Sequence, residues 1–269
     1  MPAAAAPTGS PETGDVRGDT AAAAPEIDAR PGDTPQSSLD THNAPGDAPG
    51  GPPCAAPGTA AGATGDTPSG SAPSGQRGRL IVVRHGATEW SMAGRHTGRT
   101  DVPLLDQGRR QAEMLGRLLA GHVFALVLTS PLRRARETCE IAGFGPVARV
   151  SDDLREWDYG AYEGRTTSDI RAERPGWSLW DDGGPGGESA EDVGRRADRV
   201  VAEARAVEGD VLAFAHAHVL RVVGVRWLGL PPREGRLLVL DPATISVLGW
   251  EREVAVVTRW NDTTEDPLA

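Results

Sequence analysis

Short apolar runs separated by polar, helix-forming stretches dominate residues 79–262. The runs at 80–83, 123–128 and 211–215 are almost wholly apolar, which is typical of strands that are covered on both faces. Apolar residues recur at helical spacing in four other segments, with Asp106 and Ser189 as candidate N-caps. These segments predict helices at 106–121, 132–141, 189–207 and 217–227.

Three more strands are predicted near the end of this region, at 237–240, 245–250 and 254–260. Strands that alternate with helices imply an α/β domain. We therefore predict a three-layer α/β/α sandwich with a mostly parallel central sheet.

Residues 1–78 differ in composition from the rest of the chain. They contain no Phe, Tyr or Trp, 13 of the 22 prolines, and 9 acids against 3 arginines. Such a segment buries too little apolar surface to offset the entropy of ordering it, and its start lacks the features of a secretory signal. We expect a disordered acidic tail at 1–78, one domain at 79–262 and a short C-terminal tail at 263–269.

The chain is acidic, with a formal net charge of −10, and all 28 of its basic residues are Arg. The lack of a basic excess argues against a nucleic-acid partner, and any anion site must be built from arginine. No apolar stretch approaches the ~20 residues that cross a bilayer, so we expect no membrane partner. Cys54 and Cys139 provide neither a disulfide framework nor a metal set, which favours a cytoplasmic protein.

Candidate functional residues follow three of the predicted strands. Arg84, His85 and Gly86 end the first, the arginine-rich segment 130–136 follows the second, and His216 ends the third. Strand ends of a parallel sheet converge at one edge, where ligands bind. An imidazole beside guanidinium groups at this edge suggests phosphate chemistry.

Two other patterns allow more than one interpretation. The segment 154–164 interleaves acids with aromatics and glycines, which suits a proton donor but also a surface loop whose aromatics simply pack. His216 and His218 have a spacing compatible with a metal, but no Cys cluster or acidic partner accompanies them, so we do not favour a metal site.

Five motifs, in order, resemble those of the histidine phosphatase superfamily, also called phosphoglycerate mutase-like. They lie at 84–88, 130–138, 154–156, 187–189 and 216–221. Within that family, the segments 96–104 and 154–164 look most like the branch of sedoheptulose-1,7-bisphosphatase and broad acid phosphatases. The resemblance implies a phosphoglycerate mutase-like fold and a metal-independent phosphatase without a cofactor.

The resemblance also assigns roles to residues of this chain. It makes His85 the nucleophile, Glu156 the proton donor and acceptor, and Arg84, Arg134 and a protonated His216 the groups that hold the phosphoryl oxygens. Expected substrate or phosphate contacts are Gly86, Ser91, Thr97, Gly98 and Ala217. The chain departs from the family at Ser91, where Asn is common, and at Ala217, where Gly is common.

The implied reaction is hydrolysis of a small phosphate ester through a phosphohistidine. A mutase, which returns the phosphoryl group to the substrate, and a non-catalytic phospholigand-binding module are the alternatives. Two further expectations concern the surroundings of the site. We expect 177–188 to form a mobile lid, and five aromatic residues to line the pocket mouth: Trp90, Trp157, Tyr159, Trp177 and Trp180.

Overall fold

A computed structural model describes residues 77–263 and Leu268. The predicted disordered tail lies almost entirely outside the described residues. The strands are β1 (Leu80–Arg84), β2 (Leu126–Thr129), β3 (Ala148–Val150), β4 (Val211–Ala215), β5 (Ile245–Glu251) and β6 (Val254–Asp262). The α-helices are α1 (Glu89–Met92), α2 (Asp106–Leu118), α3 (Arg133–Ile141), α4 (Thr167–Glu173), α5 (Leu179–Asp182), α6 (Ala190–Ala206) and α7 (Ala217–Trp227). Short 3₁₀ helices span Gly145–Val147, Asp152–Leu154, Gly160–Tyr162 and Pro232–Leu237.

The six strands form one sheet in the order β3-β2-β4-β1-β5-β6. The first four strands of that order are parallel, whereas β5 runs antiparallel to both β1 and β6. The predicted α/β fold with a mostly parallel sheet is confirmed. Because β1 and β4 are central neighbours, the residues that follow them emerge side by side.

Alternate residues of the central strands face opposite helical layers. Leu80 and Val82 of β1 belong to the core that α6 and α7 cover, whereas Ile81 and Val83 belong to the core that α2 and α3 cover. Their side chains are fully buried, as the continuous apolar run predicts for a strand between two layers.

Some predicted boundaries are wrong. Asp106 is the first residue of α2 and not its N-cap, which is Leu105, without a side-chain hydrogen bond. Ser189 does cap α6, in a capping box with Asp192. The strand predicted at 237–240 is wrong, because this segment contains the end of a 3₁₀ helix and extended backbone without a strand partner.

Within the segment predicted as a C-terminal tail, 263–269, Leu268 contacts the domain. Leu268 is buried, belongs to the core beside α2 and α3, and accepts a hydrogen bond from Arg79 through its carbonyl at 2.9 Å. None of the described helices is long and apolar enough to cross a membrane.

Candidate active site

Two histidines meet at the carboxyl ends of β1 and β4. Arg84 pairs with Ala215 in these parallel strands, so the next residues, His85 and His216, leave the sheet at the same level. The backbone N–H of His85 donates to Ala215 O at 3.0 Å. The two imidazole rings have centroids 5.1 Å apart and planes inclined at 59°.

His85 is buried and its ring orientation is defined. Its Nδ1 lies 2.7 Å from the carbonyl oxygen of Gly86. A carbonyl only accepts, so Nδ1 carries the proton and Nε2 carries the lone pair. Burial and then the charges of Arg134 and Arg84 lower the pKa of His85 well below 6.5. The ring is therefore neutral and nucleophilic even in mildly acidic solution.

Arg134 and His216 form a second buried unit. The Arg134 guanidinium is fully buried and donates to His216 Nδ1 at 3.1 Å, while His216 Nε2 lies 2.8 Å from Ser130 Oγ. An Nδ1 that accepts has no proton, and burial together with Arg134 lowers the pKa of His216 well below 6.5. The expectation of a protonated His216 is wrong in this arrangement, because Arg134 already supplies the cation at that position.

The remaining Arg134 donors hold the segment that precedes α2. They reach three backbone carbonyls, those of Thr97 at 2.8 Å, Gly98 at 3.2 Å and Thr100 at 3.0 Å. Charged donors make stronger hydrogen bonds than neutral ones. Arg134 therefore fixes this segment against His216.

Arg84 and Glu156 provide opposite charges at the same edge of the sheet. Arg84 donates to the carbonyl of Leu240, and its buried Nε has no partner among the described residues. Glu156 Oε1 accepts from the N–H groups of Trp157 at 2.8 Å and Val219 at 2.9 Å, and Oε2 accepts from His218 N at 3.0 Å. The last two donors belong to the first turn of α7, where anions are favoured.

A cavity of about 350 Å³ opens between these groups. Six of the ten predicted site residues line it: Arg84, His85, Ser91, Thr97, Glu156 and Ala217. Arg134 and His216 are fully buried and are not part of this wall. The structure thus places an imidazole, a guanidinium and a carboxyl group around one cavity.

The two predicted glycines do not face the cavity. A Cβ on Gly86 would lie 2.4 Å from Gly108 O, so Gly86 allows α2 to approach the loop after β1. The N–H of Gly98 donates to Glu163 at 2.9 Å, and a Cβ there would lie 2.6 Å from Trp157 O. Close packing explains why both positions are Gly, and their role as direct phosphate contacts stays a prediction.

Ser91 and Thr97 reach the cavity wall with hydroxyls that already have local partners. Ser91 Oγ completes the capping box of α1, where it accepts from Thr88 N and donates to Thr88 O, both at 2.9 Å. Thr97 Oγ1 donates to Arg95 O at 3.0 Å. Each hydroxyl would have to turn to contact a substrate.

Several further residues of the wall were not predicted: Arg95, His96, Thr167, His218, Arg221 and Asp241. Arg221 stacks over Trp180 at 4.6 Å and donates through Nε to Gly235 O at 3.0 Å. Burial lowers its pKa to about 10. The predicted helix after His216 could have identified Arg221, because its position places it one turn along α7 on the side of the cavity. His96 reaches the wall through an isolated bridge between Arg95 and Thr166, which no local pattern indicates.

Most of the aromatic residues predicted to line the pocket mouth belong to the core or pack against it. Of the five residues, Tyr159 lines the cavity, whereas Trp157 and Trp177 are buried in the core beside α6 and α7. The indole N–H groups of these two donate to Glu188 O and Gly183 O, both at 2.9 Å. The bond from Trp157 attaches Glu188 to the core, whereas the bond from Trp177 lies within 177–188. The mobile lid stays a prediction.

The His216–His218 spacing has a different use from metal binding. His218 Nδ1 lies 2.7 Å from the Tyr159 hydroxyl, and burial lowers the pKa of its ring well below 6.5. Within the described residues, no group of three or more His, Cys, Asp or Glu side chains is arranged to hold a metal ion.

Comparison with known families agrees with this geometry. The model of the histidine phosphatase superfamily, branch 1, matches residues 80–263. The chain belongs to the histidine phosphatase superfamily. The resemblance seen in the sequence is confirmed, and this histidine phosphatase is a phosphoric monoester hydrolase.

Named relatives of this histidine phosphatase include phosphatases of several kinds. An acid phosphatase of Mycobacterium tuberculosis is 45% identical over 186 residues, which cover 66% of this chain and 91% of that protein. Sedoheptulose 1,7-bisphosphatase of Saccharomyces cerevisiae is 37% identical, with 56% and 68% covered. A solved structure of mycobacterial glucosyl-3-phosphoglycerate phosphatase with VO3 is 31% identical and superposes with a TM-score of 0.62 over 69% of this chain and 98% of that one.

The stability of this histidine phosphatase should fall steeply below pH 6.5. Burial lowers the pKa of His96 to about 4 and those of His85, His216 and His218 well below 6.5. Below pH 6.5 the unfolded chain binds protons that the folded chain does not, so the free energy of unfolding decreases by up to about 1.4 kcal/mol per pH unit for each such ring. For His96 this decrease ends near pH 4.

Urea unfolding at a series of pH values tests this expectation. The midpoint should fall between pH 6.5 and 4, and His96→Gln should make that decline shallower. An equal midpoint at pH 7 and pH 5 would contradict the burial of neutral imidazoles.

Proposed function

We propose that the chain hydrolyses a small phosphorylated metabolite through a phosphohistidine on His85. The observation that carries the proposal is the state of the His85 ring, whose Nδ1 is bound by Gly86 O while the ring faces the cavity shared with Arg84 and Glu156. A neutral imidazole with its proton on Nδ1 presents the Nε2 lone pair as a nucleophile.

In the first step, His85 Nε2 forms a bond to phosphorus as the bond from phosphorus to the ester oxygen breaks. The unpartnered Nε of Arg84 supplies a donor for the phosphoryl oxygens, and Arg134 adds positive charge behind them. His216, which lies behind the cavity wall, accepts from Arg134 Nε at 3.1 Å and so holds this cation in place. Glu156, in its protonated form, donates a proton to the leaving oxygen, so the alcohol departs neutral.

In the second step, Glu156 takes a proton from water while the water oxygen attacks phosphorus. The bond from Nε2 to phosphorus breaks, inorganic phosphate forms, and His85 regains its lone pair. The carboxylate formed in the first step is the base of the second. This sequence needs no metal, because guanidinium groups supply the positive charge.

Among small phosphate esters, we propose a sugar phosphate or bisphosphate as the substrate class. The volume of the cavity suits a small metabolite, and the cations of Arg95 and Arg221 in its wall favour a leaving group with a second anionic group. The named substrates of the relatives, a sugar bisphosphate and a glucosyl phosphoglycerate, point the same way. The mutase alternative is not favoured, since the acid phosphatase and the sedoheptulose bisphosphatase are 45% and 37% identical, against 32% and 33% for two phosphoglycerate mutases. A cytoplasmic location without a nucleic-acid partner stays a prediction from composition.

Glu156→Gln tests the acid role. The amide cannot donate a carboxylic proton, and its NH₂ would face a backbone N–H that now donates to Glu156. We expect kcat for a sugar phosphate to fall about 10²- to 10⁴-fold, but that for an aryl phosphate with an acidic phenol to fall much less. Phosphate release measures both, with exposed Glu113→Gln as the matched control. An equal loss for the two substrates would remove Glu156 from leaving-group protonation.

A further inference from the structure

The tautomer of His85 depends on the carbonyl of Gly86, a residue without a side chain that could hold this carbonyl in place. The Nδ1 proton of His85 is kept in place by Gly86 O at 2.7 Å. Glycine restricts its backbone angles less than any other residue. Something outside this loop must therefore set the direction of that carbonyl.

The peptide group between Gly86 and Ala87 has a partner on its other side. Peptide groups are planar, so the C=O of Gly86 and the N–H of Ala87 point in opposite directions within one plane. The Ala87 N–H donates to Gln111 Oε1 at 2.9 Å. Fixing this N–H therefore also fixes the carbonyl that binds His85.

Helix α2 is placed to make this contact. Gly108, one turn before Gln111, packs so closely that a Cβ there would lie 2.3 Å from Ala87 O. The Ala87 carbonyl in turn accepts from Leu105 N at 3.0 Å. The peptide before Gly86 is held separately, since the Gly86 N–H donates to Thr138 Oγ1 at 3.1 Å. Gln111 is thus the side chain that acts directly on the peptide carrying the His85 acceptor.

We propose that Gln111 is a positioning residue that sets the tautomer of His85 through the Gly86–Ala87 peptide. The inference rests on the proposed function of His85 as the nucleophile. When Nε2 bonds to phosphorus, the ring gains positive charge and the Nδ1–H bond to Gly86 O strengthens. A correctly held carbonyl therefore stabilises the transition state more than the ground state, so its loss lowers kcat and leaves KM nearly unchanged.

The imidazole ¹⁵N spectrum of the full chain tests the link directly, with His85 assigned by comparison with His85→Ala. Wild type and exposed Gln107→Met, the same change one turn earlier in α2, should show the Nδ1–H tautomer. Gln111→Met removes the acceptor and should give a mixture of tautomers. Gln111→Glu keeps an acceptor oxygen and should restore the wild-type tautomer.

The kinetics should follow the spectra. We expect kcat to fall about tenfold in Gln111→Met, the value of one lost hydrogen bond, with KM within about twofold and with Gln111→Glu near wild type. If Gln111→Met does not fold, Gln111→Asn, which is too short to reach Ala87 N, takes its place. A retained Nδ1–H tautomer in Gln111→Met or Gln111→Asn, or equal losses of kcat in Gln111→Met and Gln111→Glu, would overturn the proposal. Absence of a phosphoenzyme in wild type would instead refute the proposed function, since the tautomer is read in the free enzyme.

Discussion

Replacing His85 by alanine should reduce kcat/KM by at least about 10⁴-fold for every phosphate ester that the wild type hydrolyses. The variant has no atom at the Nε2 position, so the first displacement has no nucleophile within the cavity. The loss should be equal for good and poor leaving groups, because bond formation to phosphorus is removed in both cases. The rate of phosphate release at substrate concentrations below KM gives kcat/KM for the variant and for the wild type.

His122→Ala is the matched control for this experiment. His122 lies in the loop before β2, at the opposite end of the sheet from the cavity, and should keep wild-type turnover. A His85→Ala enzyme with more than a few per cent of wild-type kcat/KM would mean that water, or another residue, attacks phosphorus.

Arg134→Met should lower the free energy of unfolding by about 4 kcal/mol and kcat by at least about 10²-fold. Methionine has a similar length but no donors. The change leaves the carbonyls of Thr97, Gly98 and Thr100 and the Nδ1 of His216 without their partner. Buried acceptors that lose a charged donor retain their full desolvation penalty.

The neighbouring Arg136→Met serves as control, because Arg136 is exposed and its pair with Glu140 spans 3.7 Å at the surface. Such pairs contribute about 0–1 kcal/mol. Urea unfolding gives the free energy of unfolding of both variants. An Arg134→Met enzyme within 1 kcal/mol of wild type would show that the buried guanidinium does not organise the 97–100 segment.

The sheet could be predicted from the chain because its central strands are unambiguous. β1 is apolar from Leu80 to Val83 and β4 is apolar throughout, and both strands contact the two helical layers, so their identity does not depend on distant contacts. The same apolar pattern wrongly predicts a strand at 237–240. There, apolar residues follow a 3₁₀ helix and lie at the cavity rim, with Val239 67% exposed.

The site could be predicted only in part, for a physical reason. His85 and His216 follow directly from strand ends, which are local features. The glycines show the limit of such reasoning, since Gly86 is required by the approach of Gly108 on α2, a contact between separate elements. Likewise, His96 and Gln111 act through bridges and hydrogen bonds that only the folded chain creates.

The most direct test of a covalent phosphohistidine is to trap it. The enzyme is mixed with ³²P-labelled substrate, quenched in base within milliseconds and digested, and the labelled peptide is identified. A phosphohistidine on His85 should give a label that is stable to base, lost in acid, located on His85 and absent from His85→Ala. A burst of product without any labelled peptide, or a label on another residue, would contradict it.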